Sequence, residues 1–203
     1  MSTIDSIEAL EALYGLPKEK DLVKELDHIT PHYRKLIEAS PFMIVATGGP
    51  EGMDCSPRGD EPGFVRVKDE RTLMFPDRRG NNRADSLRNI IQNPYIALLF
   101  MIPGVGVTLR INGKAEISVD ADLLQSFAVG NSLPKSVIVI TAESVYFQCS
   151  RAIVRANLWD PDSFPEPGEV PTAGELLAEI SSNKFGGEKY DLDWHNRPKK
   201  NLK

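Results

Sequence analysis

The residues of this chain best suited to chemistry lie between Pro76 and Pro94, in the stretch PDRRGNNRADSLRNIIQNP. Arginines, a glycine and two asparagines crowd the entry of a segment that reads as a helix. A helix start exposes unpaired backbone N–H groups and the positive end of the helix dipole, which together form an anion site. Asn81 and Asn82 add amide donors and can serve as N-caps. Gly80 permits close backbone approach, and Arg83, on the expected first turn, supplies a charged fork suited to phosphate. Cations at this end oppose the dipole at a cost of about a few tenths of a kcal/mol, which a bound anion would offset. A capped surface helix with solvated arginines is the competing reading.

A second anion-binding candidate lies in CSPRGD, where Ser56 and Arg58 stand two residues apart on an expected strand. That spacing turns a hydroxyl and a guanidinium to the same face. An ordinary polar turn would use the same residues. Arg58-Gly59-Asp60 also spells a cell-adhesion signal, discounted for a chain that reads as cytoplasmic. His28 and His32 are four apart, a spacing that suits a metal on one helix. Pro31 between them starts a new helix, so no metal site is expected. Cys55 and Cys149 lack CxxC spacing and read as free thiols in a reducing compartment. PGVGV (103–107) lacks the βαβ unit of a dinucleotide loop and reads as a hairpin connection. Trp159 and Trp194 read first as packing residues.

The elements around these residues follow from periodicity and punctuation. Ile4, Ile7, Leu10 and Leu13 recur at helical spacing before Gly15, a C-terminal cap. Pro17 opens a second helix carrying Leu22, Val23 and Leu26. Thr30-Pro31 caps a third, which stops at Ser40-Pro41. FMIVATG and MDCSPRG then flank the GGPEG turn as a hairpin. GFVRVKD and RTLMFPD read as short strands, and YIALLFMIPG and VTLRINGKAEIS as longer ones. DADLLQSFAVG is a helix capped by Asp120. SVIVITAESVYFQ is one long strand or a bent pair. CSRAIVRANLWDP reads as a helix ended by Asp160-Pro161, PDSFPEPGEVP as a surface connection and TAGELLAEISSN as a further helix. The last twenty residues are polar and loosely patterned. Six or seven short antiparallel strands close into a barrel or pack as a sandwich.

The 203 residues suit one domain with appended helices. The expected organisation is a helical segment over 1–40, a central domain over 41–160, and a helix with a polar tail over 161–203. Hydrophobic residues make up 41 %, enough for a core. A net charge of −5 and a pI of 5.3 argue against a general nucleic-acid surface. The longest apolar run, Ile96–Ile102, is far short of the roughly 20 residues that span a bilayer. MSTIDSIEAL lacks the basic start and apolar core of a signal peptide. A cytoplasmic protein with neither nucleic-acid nor membrane partners is expected.

The order of these pieces resembles the FMN-binding split-barrel proteins related to pyridoxamine 5′-phosphate oxidase, over about residues 40–160. LMFPDRRGNNRADSLRNIIQNPYIALLF and LRINGKAEIS carry the likeness, with DCSPRGDEPGF pointing to an uncharacterised branch. The resemblance implies a mainly β, α+β architecture: an antiparallel split β-barrel with flanking helices, binding FMN at a homodimer interface. By position it implies that Asn81, Asn82 and Arg83 grip the FMN phosphate, with Arg83 in place of a lysine. Arg58 falls near the family's phosphate-binding arginine, beside Ser56, and Arg66 takes the place of a nearby lysine. Thr108 sits where the family uses a glutamine near the isoalloxazine ring. Pro76 and Asp77 replace an aromatic-hydroxyl pair that lines the flavin. Arg155 or Trp159 would come from the partner chain.

The function implied is an FMN-dependent oxidoreductase acting on a small-molecule substrate. It is not expected to be pyridoxamine 5′-phosphate oxidase itself, because His195-Asn196-Arg197 does not match that enzyme's substrate pattern. A non-catalytic flavin-storage protein and a deazaflavin-dependent reductase are the alternatives. A haem-binding relative is disfavoured, since the three histidines lie outside the barrel segments. No side-chain acid or base is singled out, because the redox chemistry belongs to the flavin.

Overall fold

Local signals set the elements in chain order. The computed structural model describes residues 3–196, without the side chains of 194 and 195. Ser6 caps α1 (Ile7–Tyr14), which closes at Gly15 with φ 73°. A single turn, α2 (Glu19–Leu22), follows. Thr30 caps α3 (Pro31–Ala39), with Pro31 in its first turn. Strands β1 (Phe42–Gly49), β2 (Gly52–Gly59), β3 (Arg66–Val67) and β4 (Thr72–Asp77) lead to helix α4 (Asp85–Gln92). Strands β5 (Tyr95–Met101) and β6 (Thr108–Ser118) precede α5 (Ala121–Ser126), whose N-cap Asp120 accepts from Leu123 N. The long β7 (Ser136–Gln148) is followed by α6 (Arg151–Arg155), α7 (Ala173–Ile180) and α8 (Glu188–His195). A reciprocal pair of Thr172 and Glu175 bonds starts α7.

The seven strands form one antiparallel sheet in the order β2-β1-β5-β6-β7-β4-β3. Alternate residues turn inward: Met43 and Val45 of β1, Ile96, Leu98 and Phe100 of β5, Leu73 and Phe75 of β4. These meet Ile138 and Ile140 of β7, together with Tyr33 and Ile37 of α3 and Ile90 of α4, in a single core. Inward faces from β1 at one side of the sheet and β3 at the other share that core, so the sheet curls around it as a split barrel. Each large side chain buried there contributes about 1.5–3 kcal/mol. The two strand prolines stand where no ladder bond is lost. Pro57 is on edge strand β2, and Pro76 pairs with Val137 beyond the short reach of β3. The β6–β7 ladder slips between Asn112 and Gly113. A Cβ at Gly113 would overlap the Thr141 carbonyl oxygen, so only glycine fits this irregularity.

Several elements differ from the sequence reading. The apolar stripe of α1 buries none of its residues. The second helix shrinks to one turn with Leu22 and Val23 exposed, and Leu26 instead bridges to Val145 as a strand would. Of GFVRVKD, only Arg66–Val67 pairs. The CSRAIVRANLWDP helix stops at Arg155, ahead of Asn157 with φ 47°. The loosely patterned tail contains α8, docked by Asp191, which accepts from Thr172 Oγ1 at 2.6 Å and Gly174 N at 2.8 Å. No helix among the described residues is long and apolar enough to cross a membrane.

Candidate anion-binding site

Strand β2 turns Asp54, Ser56 and Arg58 to one face, as its two-residue period requires. Helix α4 lies across that face, held by amide bonds from Asn89 Nδ2 to Thr47 Oγ1 and from Asn93 Nδ2 to the Gly48 carbonyl. Ser86, in the first turn of α4, is buried against the stripe. Its hydroxyl donates to Asp54 Oδ2 at 2.5 Å and accepts from Arg58 Nη2 at 3.2 Å. Ser56 Oγ donates to the same Asp54 oxygen at 2.9 Å. The carboxylate thus consumes both hydroxyl protons, leaving the Ser86 lone pairs to orient Arg58.

The helix does not start where the sequence suggested. Asn82 (φ 62°) and Ala84 (φ 58°) both take left-handed backbone, and α4 begins only at Asp85. Asn81 and Asn82 are therefore not caps, and Arg83 precedes the first turn. Asn81 Oδ1 instead accepts from Arg83 N at 3.0 Å, tightening the loop. Among the described residues no side chain caps α4, so its first N–H groups are open to an acceptor.

Across the opening, the α5–β7 connection brings Lys135, whose Nζ donates to Asn82 Oδ1 at 2.8 Å. Buried Phe127 anchors this connection, and its carbonyl accepts from Arg78 Nη1 at 2.9 Å. The resulting cavity of about 810 Å³ is lined by β2, the end of β4, the 78–84 loop, the start of α4 and Lys135. That volume falls in the range of roughly 300–1,000 Å³ usual for small-molecule sites.

Charge is distributed unevenly around it. Arg83 pairs with Asp85 at 2.8 Å and Arg78 with Asp60 at 3.0 Å. Arg58, Arg79 and Lys135 line the cavity with no carboxylate in ion-pair reach among the described residues. Asp77 extends the inward stripe of β4 to the cavity wall. Burial raises its carboxyl pKa above the ordinary value, and the opposing pull of Arg58 and Lys135 is smaller.

Of the residues singled out from sequence, Ser56, Arg58, Pro76, Asp77, Asn81, Asn82 and Arg83 meet at this cavity. The others do not. Arg66 points to α5, donating to the Ser126 carbonyl at 2.9 Å and stacking 4.0 Å over Phe127. Thr108 sits at the far end of the sheet beside Gln148, 3.4 Å away. Trp159 Nε1 donates to the Val105 carbonyl at 2.9 Å, and Arg155 is exposed on α6 nearby in sequence. Thr108, Arg155 and Trp159 gather where β7 ends, whereas the cavity lies where β7 begins, up to roughly 40 Å away along an extended strand. His28 Nδ1 meets Asp27 Oδ1 at 2.9 Å in the loop before α3. The side chains of Trp194 and His195, and Arg197 altogether, lie outside the described residues.

Sequence reasoning missed Asp54, Ser86 and Lys135. Asp54 had a signal, standing one strand period before Ser56. Ser86 had a weaker one, four residues before buried Ile90 on the same helix face. Lys135 had none.

Together the curled antiparallel sheet and its basic, uncapped helix entry define a split barrel with a candidate anion site. No curated protein matches the chain. The profile described as pyridoxamine 5′-phosphate oxidase matches residues 29–149, more than half of the sequence. The chain belongs to the pyridoxamine 5′-phosphate oxidase family. Among solved structures it is similar to HupZ of Group A Streptococcus, at 24 % identity over 60 % of this chain and 95 % of that one, with a TM-score of 0.49. A Lactobacillus delbrueckii protein described as a putative pyridoxamine 5′-phosphate oxidase is 20 % identical over 61 % and 98 % of the two chains, also at 0.49. The FAD-binding protein of Mycobacterium smegmatis is 13 % identical over 61 % and 97 %, at 0.43.

Proposed function

We propose that this cavity holds the 5′-phosphate of FMN and that the protein is a cytoplasmic FMN-dependent oxidoreductase acting on a small molecule. The observation that carries the reading is the convergence of Arg58, Arg79 and Lys135, without ion-pair partners among the described residues, on the uncapped start of α4. A phosphate dianion would match these charges and accept from the open helix N–H groups. Asn81 and Asn82 flank the same opening, and Arg83 can exchange Asp85 for the phosphate. When bound, the flavin supplies hydride or two-electron transfer. The chain's own residues bind the phosphate, orient the ring against the barrel wall and exclude water from it.

The same reading calls for a homodimer. Strands β1 and β5 are apolar on both faces, the signature of strands covered on both sides. Their outward residues Ile44, Ala46, Ala97, Leu99 and Met101 are only half covered within one chain. Thr108, Arg155 and Trp159 stand too far from their own cavity to line it. A second subunit packed on this face would carry its copies toward the first subunit's ring-binding space. The His-Asn-Arg order of the tail argues for a substrate other than pyridoxamine 5′-phosphate.

The test is the visible absorption spectrum of freshly purified protein, with the released ligand identified by mass. Oxidised-flavin bands and the mass of FMN are expected. A colourless protein that also fails to take up added FMN would overturn the assignment and favour a deazaflavin cofactor.

A further inference from the structure

Resting on the phosphate reading above, we infer that Asp77 is the specificity-determining acceptor of the cavity, taking a hydrogen bond from a hydroxyl or N–H of the bound molecule. Its ligand is therefore a phosphate ester whose body carries such donors, rather than a simple anion. The other polar groups offered to the ligand are mostly donors: Arg58, Arg79, Lys135, the asparagine amides and the α4 N–H groups. Asp85 is the other carboxylate lining the cavity, and it is occupied by Arg83. The Asp77 backbone carbonyl accepts from Lys135 N at 3.4 Å, but no described residue donates a hydrogen bond to its carboxylate, which sits at the end of the buried Leu73–Phe75 stripe.

A half-buried carboxyl without a donor is costly, and it repels any anion drawn to the neighbouring cations. A site selected for inorganic phosphate alone would do better with an apolar or amide side chain here. The carboxyl is accommodated if the ligand returns a donor to it. The raised pKa of Asp77 agrees with a half-buried carboxyl whose loss of water outweighs the pull of Arg58 and Lys135. The resemblance offers no precedent, because Pro76-Asp77 replaces an aromatic-hydroxyl pair.

Calorimetric titration of the intact protein with FMN and, separately, with inorganic phosphate tests this in the wild type, Asp77→Ala and Asp77→Asn. The alanine variant is expected to lose at least about tenfold in FMN affinity, as for a charge-assisted hydrogen bond. Its phosphate affinity should be unchanged or higher, because a negative charge has gone. Asp77→Asn, which keeps an acceptor oxygen, should recover much of the FMN affinity. If Asp77→Ala binds FMN as tightly as the wild type or more tightly, the carboxyl acts only as a counter-charge and the inference falls. A wild type that binds phosphate but not FMN would instead overturn the flavin reading, and this inference with it.

Discussion

Arg58 and Ser86, 28 residues apart in sequence, meet at 3.2 Å, and the bond aims a guanidinium into the cavity from strand β2. Ser86 can accept because it gives its own proton to Asp54. The candidate anion site is thus supported from beneath by a strand–helix contact, and each member of the contact has a separate consequence.

Removing the guanidinium should weaken binding directly. Arg58→Ala is expected to lower FMN affinity by about 1.5–3 kcal/mol, the usual worth of a hydrogen bond to a charged group. Flavin fluorescence titration measures it, and unchanged affinity would exclude Arg58 from the phosphate shell.

Asp54 should act through Arg58 rather than on the ligand. Asp54→Ala strands the buried Ser86 proton and frees Arg58 to turn, with an expected loss of about 1 kcal/mol in FMN binding. In a double-mutant cycle the loss should largely vanish when Arg58 is already alanine. Full additivity would show that the two residues act independently.

The cations should differ in rank. Arg83 is exposed and already paired with Asp85, so it must give up one partner to gain another. Among the described residues, Lys135 and Arg58 have no carboxylate to give up. Lys135→Ala should therefore cost more FMN affinity than Arg83→Ala, both within about 3 kcal/mol. The reverse order would mean that the Arg83–Asp85 pair opens without cost.

Asp77 predicts a pH dependence of the ligand-free protein. Its folded pKa is raised by burial, so its ionisation opposes folding, and stability is lost as pH rises through that pKa. Asp77→Asn lacks this loss. It should melt higher than the wild type at neutral pH, with the gain fading toward acid pH, where both side chains are neutral. A gain of the same size at every pH, followed by calorimetry, would exclude the carboxyl's charge as its origin.

Glycines at close approaches should separate by what they touch. Gly113→Ala drives a methyl group into the Thr141 backbone carbonyl and should destabilise by about 1–3 kcal/mol in denaturant unfolding. Gly49→Ala meets the end of the Asn89 side chain, which can swing aside. Its cost should be smaller, being chiefly the Asn89–Thr47 bond.

Much of this was legible in the residues. The caps Thr30 and Asp120 each bond the backbone they were expected to. The apolar runs of β1 and β5 mark those strands directly, although with both faces apolar only the structure shows which residues turn inward. Apolar spacing alone misled for α1, because a helical stripe forms whether or not a core exists to receive it. The helix start was misplaced because left-handed residues at Asn82 and Ala84 are choices of the whole loop, to which alanine offers no local clue.

Local chemistry in the sequence determined the element types, the donor-rich loop at 78–83 and the pairing of Ser56 with Arg58 on one strand face. These depend on neighbours within a few positions, where helical and strand periods act. Only the tertiary structure decided that Lys135 closes the cavity, that Asp54 and Ser86 support Arg58, and that Thr108 and Trp159 stand at the opposite end. Those placements follow from the strand order β2-β1-β5-β6-β7-β4-β3. That order is set by burying one shared core among non-consecutive strands, an outcome of the chain as a whole that no local period encodes.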